Sequence, residues 1–226
     1  MSIWSRISDA LSALTAGEGL SAVFDRLRSP PERSVAFTIA VIALGAKMAK
    51  ADGQVTRDEV TAFREVFHIA ARDEAGAAKV FNLARQDAAG FEEYAQRIQS
   101  MFQGQPDTLR DLLEGLFHIA MADGFYHPNE DAFLEKVTAI FGVPEADFNR
   151  LRMRFAPDAL QDPYTVLGVT PDVPFSDIRK AFRQLVRENH PDAMIARGLP
   201  EEALQLAQKR MADINRAWAE IESAQG

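Results

Sequence analysis

The 226-residue sequence contains no cysteine. Disulfides, thiol nucleophiles and cysteine-ligated zinc are therefore excluded, and the composition fits a reducing compartment. Long apolar runs are missing too. A membrane-spanning helix needs about 20 consecutive apolar residues. The most apolar stretch, Val35 to Ala49, is interrupted by Thr38, Gly45 and Lys47. The opening residues MSIWSRISDALSAL lack the unbroken core of a signal peptide. These features predict a cytoplasmic chain with no transmembrane span. An excess of positive charge is also lacking. Lys and Arg number 25 against 33 Asp and Glu, a net charge of −8, which argues against nucleic-acid binding over the whole surface. No Gly-x-x-x-x-Gly-Lys loop occurs, so the chain carries no such phosphate cradle. No segment alternates apolar and polar residues as a half-buried strand does. What is present is 47% hydrophobic and 26% charged residues. That suffices for one or two helical domains with real cores, and the expected fold class is all-α.

Taken in order, Ile3, Trp4, Ile7, Leu11 and Leu14 fall at helical spacing. This helix either lies on a membrane surface or packs on its own domain. Its polar face holds Arg6 and Asp9 but no cluster of basic residues, so packing is expected. A short helix to Arg28 follows, and Ser29-Pro30-Pro31 breaks the chain, closing an N-terminal region over 1–30. An internal repeat comes next. Ala49-Lys50-Ala51-Asp52-Gly53 recurs as Ala120-Met121-Ala122-Asp123-Gly124. Glu59 and Glu130 stand seven residues after the aspartates, and Phe63 and Phe133 follow them. Helical patterns precede each turn, over Ser34–Lys50 and Asp107–Met121. Others follow, over Arg57–Ile69 and Asn129–Phe141. Thr56 with Glu59 has capping-box spacing, and Pro128 suits a first helical position. Gly53 and Gly124 suit a left-handed helix end. Asp73–Gln86 and Phe91–Phe102 read as two further helices between the repeats. A helix over Glu145–Phe155 closes the region, so 31–155 is expected to be a pseudo-duplicated helical bundle.

Asp52, Glu59, Asp123 and Glu130 are candidate ligands for a divalent metal, with His118 and His127 nearby. The spacing is not that of an EF-hand. An aspartate before glycine forms turns and a glutamate in a first helical turn caps. We therefore expect no cofactor, with metal as the alternative. His68 and His118 lie in apolar helical stretches and are expected to be packed side chains.

After a linker over 156–161, Asp162-Pro163 makes an N-cap and first-turn pair, and Gly168 ends a short helix. A basic amphipathic helix then begins at Phe175. Ile178, Ala181, Phe182, Leu185 and Val186 share one face, and Arg179, Lys180, Arg183 and Arg187 the other. Ser176 is the expected N-cap, with Asp177 in the first turn. The helix should stop near Asn189 or His190, because a residue before proline avoids the α region. It thus leads into His190-Pro191-Asp192. Ala193–Pro200 is expected as a loop, and Glu201–Ser223 as a long helix with Leu204, Ala207, Met211, Ile214, Ala217, Trp218 and Ile221 on one face. The two long helices make an antiparallel hairpin braced by a short helix.

The repeat, with its Ala-Asp-Gly turns and downstream glutamates, resembles the TerB-like helical domain of tellurite resistance proteins. The resemblance implies a metal role for Asp52, Glu59, Asp123 and Glu130. Residues 162–226 resemble a J domain of DnaJ-class co-chaperones. The matching residues are Asp162-Pro163-Tyr164, Leu167-Gly168-Val169, Ile178-Arg179-Lys180-Ala181-Phe182, His190-Pro191-Asp192 and Ile214-x-x-Ala217-Trp218. The tripeptide alone would arise by chance in only about 1% of chains this long. His127-Pro128-Asn129 is a near match without the aspartate or a basic helix before it, and reads as a helix start. A TerB-like domain followed by a J domain, with the loop Ala196-Arg197-Gly198-Leu199-Pro200, is similar to the DjlA-type co-chaperones. Members of that type often carry an N-terminal membrane anchor, which is not visible in this sequence.

The resemblance implies a DnaK-type chaperone ATPase as partner. Arg179, Lys180, Arg183 and Arg187 would steer onto an acidic patch of it. His190, Pro191 and Asp192 would engage the junction of its two domains and stimulate ATP hydrolysis there. The chain itself is then no enzyme, and the helical domain would select clients or location. Alternative roles are a metal-binding module or a membrane-surface adaptor making peripheral contact. Many J domains have an aromatic before the tripeptide and basic residues around it. Glu188, Asn189 and Ala193 stand there instead, which implies a weaker positive face.

Overall fold

The structure, a computed structural model, describes residues 3–12, 20, 23, 33–52, 69, 74–86, 90–122, 124–155 and 162–224. Several sequence expectations lie outside the described residues. They are the short helix ending at Arg28, the helix Arg57–Ile69 with its Thr56–Glu59 cap, Gly53, His68 and the linker 156–161.

The helix Arg33–Asp52 (α2) is the centre of the fold. Every residue from Val35 to Ala49 is buried. A helix that is apolar all round must sit inside a shell of others. The shell is α1 (Ile3–Ser12), α3 (Glu74–Gln86), α4 (Phe91–Met101), α5 (Pro106–Ala120) and α6 (Pro128–Phe141), each in contact with α2. The polar residues inside are satisfied locally. Thr38 Oγ1 donates to the Ser34 carbonyl at 3.0 Å, and the Lys47 amine lies 5.0 Å from the centre of the Tyr94 ring. α1 turns Ile3, Trp4, Ile7 and Leu11 inward against α2 and α3. Its apolar face is therefore covered within the molecule, as the packing reading expects.

The second repeat follows the expected helix–turn–helix order. α5 ends at Ala120, Gly124 takes φ +83°, and α6 begins with Pro128 in its first turn. α7 (Glu145–Phe155) packs on α5 and α6. Among the described residues there is no strand, and the fold class is all-α.

The C-terminal segment holds α8 (Pro163–Leu167), α9 (Phe175–Glu188), α10 (Pro191–Ala196) and α11 (Leu204–Ala224), with a 3₁₀ turn at Glu201–Ala203. Asp162 caps α8, accepting from the Thr165 N–H at 2.9 Å. Gly168 ends it at φ +68°. The positive φ favours glycine there, while the nearest atom to an added Cβ is the tip of the Arg150 side chain, which can move aside. α9 and α11 form the expected hairpin, with α8 against both.

Two details differ from the sequence expectation. α9 begins at Phe175 with Pro174 at the N-cap, so Ser176 lies inside the helix. Residues 193–200, expected as a loop, instead open with the end of α10. Pro191 at the first helical position and His190 at the N-cap start a new helix there.

This segment has two anchorages. Leu167, Ile178, Ile214, Ala217 and Ile221 form a small core of their own, with Phe182 stacked 4.7 Å from Trp218. Met194, Leu199, Ala203, Leu206 and Ala207 belong to the core built around α2. The core around α2 therefore takes in side chains from both sides of the expected linker.

Candidate docking site around His190

α9 buries Ile178 and turns its polar face outward. Arg179, Lys180, Arg183 and Arg187 are all exposed. Arg179 lies 5.3 Å over the Phe175 ring, and Lys180 Nζ is 3.8 Å from Asp177 Oδ1. Among the described residues Arg183 and Arg187 have no carboxylate partner. Pairing at such exposed positions is weak, so the face remains a positive surface. Glu188 is engaged along the helix, its Oε1 accepting from Gln184 Nε2 at 2.7 Å.

His190 follows α9 with its side chain 56% exposed, and that of Asp192 is 89% exposed. His190 Nδ1 accepts from the Asp192 backbone N–H at 3.3 Å. In the neutral ring the proton is then on Nε2, which leaves a donor facing outward. Pro191 fixes the turn between the two side chains. All seven sequence-predicted docking residues thus lie along α9 and at the start of α10. The arrangement has no nucleophile–base pair. It can present an imidazole N–H and a carboxylate side by side at the end of a basic rod.

The backbone beside His190 is held from behind. Asn189 is buried, at 6% exposure. Its Nδ2 donates to the Leu185 carbonyl at 2.8 Å, and its Oδ1 accepts from Arg210 Nη1 at 2.6 Å. The Glu188 carbonyl accepts from Arg197 Nη1 at 2.7 Å. Both arginines continue to α5. Arg197 Nη2 reaches Asp111 Oδ2 at 3.2 Å, and Arg210 Nη2 reaches Asp111 Oδ1 at 2.9 Å. Arg210 and Arg154 also pair with Glu114. Arg154 Nε lies 3.8 Å from Asp213 Oδ2. Asp111 and Glu114 are buried, at 2% and 0% exposure. Three carboxylates thus face three guanidiniums across the contact between the repeat bundle and the C-terminal segment. Thr108 Oγ1 adds a bond to the Arg197 carbonyl at 3.2 Å. A cleft of about 420 Å³ runs alongside, between α5 and α7 on one wall and α8 and α9 on the other.

These residues escape a reading of the sequence. Asp111 and Glu114 stand three apart in PDTLRDLLEGLFHIA, with Leu109, Leu112, Leu113 and Leu116 among them. That crowding of acids among apolar residues is the one signal available. His118, one turn further along α5, packs edge-on to Phe155 at 4.9 Å. Burial, and then the positive charge of Lys209, push its pKa down to about 4. It is a packed, neutral side chain, as expected.

Of the four metal candidates, only the side chain of Glu130 lies among the described residues. Glu130 is buried and acts as a cap, its Oε2 accepting from the His127 N–H at 3.0 Å. Asp52 ends α2 but its carboxylate, like Glu59 and Asp123, lies outside the described residues. Among the described residues no three acidic or histidine side chains gather as a metal site would need. His127-Pro128-Asn129 starts α6, as its sequence suggested. No helix among the described residues is long and apolar enough to cross a membrane.

Comparison with known proteins agrees with this architecture. Residues 38–153 match the family of Tellurite resistance protein TerB, and residues 162–225 match the DnaJ domain. The Co-chaperone protein DjlA of Photobacterium profundum is 28% identical, over 86% of this chain and 80% of its own length. That of Escherichia coli (strain K12) is 25% identical, over 100% of this chain and 99% of its own. That of Vibrio parahaemolyticus is 27% identical, over 90% and 83%. No solved structure matches the chain. With a TerB domain over half of its length, the chain belongs to the TerB family; it carries a J domain behind that domain and is similar to the Co-chaperone protein DjlA over most or all of its length.

Proposed function

We propose that the chain docks on a DnaK-type chaperone ATPase and stimulates its ATP hydrolysis. The observation that carries this reading is the exposed basic face of α9 leading, past Glu188 and Asn189, to exposed His190 and Asp192. Arg179, Lys180, Arg183 and Arg187 steer the encounter with an acidic surface, a contribution that speeds association and fades with salt. His190 and Asp192 then engage the partner through the outward Nε2–H and the exposed carboxylate. Burying Asp192 against a basic group makes the contact costly to lose, about 2–5 kcal/mol when one member of such a pair is removed. Because hydrolysis takes place in the partner, we propose no cofactor for this chain. We propose a cytoplasmic location, where ATP is at hand for the partner's cycle. The TerB-like bundle, away from the basic face, is left for clients or location.

The test is single-turnover ATP hydrolysis by the DnaK-type partner with increasing amounts of the full chain. Wild type is expected to accelerate hydrolysis, and His190→Gln to lose the acceleration. Equal acceleration by both proteins would overturn the reading. The absence of a cofactor is checked by calorimetry. A divalent-metal heat that disappears in Asp52→Ala with Asp123→Ala would assign a metal to the repeat.

A further inference from the structure

Asp111 and Glu114 are charged groups taken out of water on the buried side of α5, among Leu112, Leu113 and Leu116. Buried ion pairs contribute little net stability compared with apolar residues of the same volume, because desolvation offsets their attraction. Their use is geometric: charges and forked donors meet in only one register. Here the register is defined by what the arginines hold with their other nitrogens. Arg197 spans from Asp111 to the Glu188 carbonyl, and Arg210 spans from Asp111 to the Asn189 side chain. Glu188 and Asn189 are the two residues immediately before His190. On the other side of the tripeptide, Met194 and Leu199 are buried in the core around α2. The backbone carrying His190 and Asp192 is thus gripped at both ends by the TerB-like bundle, while the two side chains stay in solvent.

We propose that Asp111 is a positioning residue for the docking loop. Acting through Arg197 and Arg210, the TerB-like bundle sets the direction in which His190 and Asp192 face the ATPase. The bundle is then part of the stimulating device as well as a carrier of it. This rests on the docking function proposed above. It makes a separable prediction, because the basic face of α9 lies outside the grip. Encounter with the partner depends on α9, whereas productive engagement depends on the orientation of the loop.

The experiment compares full-length Asp111→Asn, Arg210→Met and Arg154→Gln in the same single-turnover assay. Maximal acceleration and half-saturating concentration are read separately. Asp111→Asn removes the charge both loop-holding arginines share, at constant volume. Arg154 pairs with Glu114 in the same buried network but touches neither Glu188 nor Asn189. With positioning, Asp111→Asn and Arg210→Met lower the maximal acceleration about tenfold and leave the half-saturating concentration within about twofold. Arg154→Gln leaves both values within about twofold of wild type. Hydrogen exchange of the His190–Ala193 amides rises in the first two proteins only.

Should Asp111→Asn fail to fold by circular dichroism, Arg210→Met and Arg197→Ala carry the test, since both arginines are partly exposed. Wild-type maxima in the loop-holding variants, or an equal loss in Arg154→Gln, would overturn the proposal while the docking function stands. If His190→Gln is as active as wild type, the docking function itself falls, and the positioning role with it.

Discussion

His190 and Asn189 are neighbours with opposite fates. His190 is exposed because Pro191 ends α9 and turns its side chain out; Asn189 is buried because Arg210 reaches its amide oxygen. At this position many J domains have an aromatic, and here a polar residue is tied to a charge network instead. A residue-scale prediction concerns His118. Its folded pKa of about 4 lies below the ordinary 6.5. As pH falls, the unfolded chain takes up the proton first. The stability contributed by keeping the ring neutral is complete above pH 6.5 and is lost progressively down to about 4. The loss is up to about 3 kcal/mol. Urea denaturation between pH 7 and 4 should show this slope, and His118→Leu should flatten it. Parallel curves for the two proteins would show that the ring is not desolvated. Burial raises the pKa of Asp213, which acts in the opposite sense, so the difference between the two proteins is the quantity to read.

The same scale shows what sequence can reveal about a site. His190, Pro191 and Asp192 are adjacent, and their chemistry is legible because it is local. Asp111 is not legible in this way. An acid on a helix ordinarily belongs to a solvated face, and only its partners, 86 residues away for Arg197, make it part of the site.

Among elements, α9 was the most readable. Its apolar positions recur every three to four residues, and its charges occupy the complementary arc, so helix and orientation follow from one period. α10 is not legible in this way, because six residues are too few to show a period. Its start is set by the cap at His190 and Pro191, and its buried Met194 by the core beyond it. Arg183→Glu with Arg187→Glu should raise the half-saturating concentration for ATPase stimulation about tenfold at low salt. The maximum should be retained. Raising the salt should weaken wild type more than the variant, since the steering charges are screened. A salt response identical in both proteins would remove α9 from the encounter.

The whole molecule is organised by two apolar interiors joined through α11. Its first part, with Leu206 and Ala207, enters the core around α2; its later part, with Ile214, Ala217 and Ile221, completes the small core against α8 and α9. A chain of residues 162–226 alone would expose Met194, Leu199 and Leu206. Burying a side chain of that size contributes about 1.5–3 kcal/mol. Such a segment should melt at least about 10 °C below the same transition in the full chain, as followed by the near-ultraviolet signal of Trp218. An unchanged melting temperature would mean that the contact with the TerB-like bundle contributes nothing to this segment's stability.

The helical periods, the cap at Asp162, the first-turn Pro128, the left-handed Gly124 and Gly168, and the docking tripeptide are all written in stretches of at most a few turns. Propensity, capping and periodicity act over that range, so these features need nothing beyond the order of residues. The shared core and the anchoring of the His190 loop were decided only when the chain closed on itself. Whether Asp111 and Glu114 face water or arginine depends on which helix packs over α5. That is a contact between distant segments, and no local pattern of charge or hydropathy encodes it.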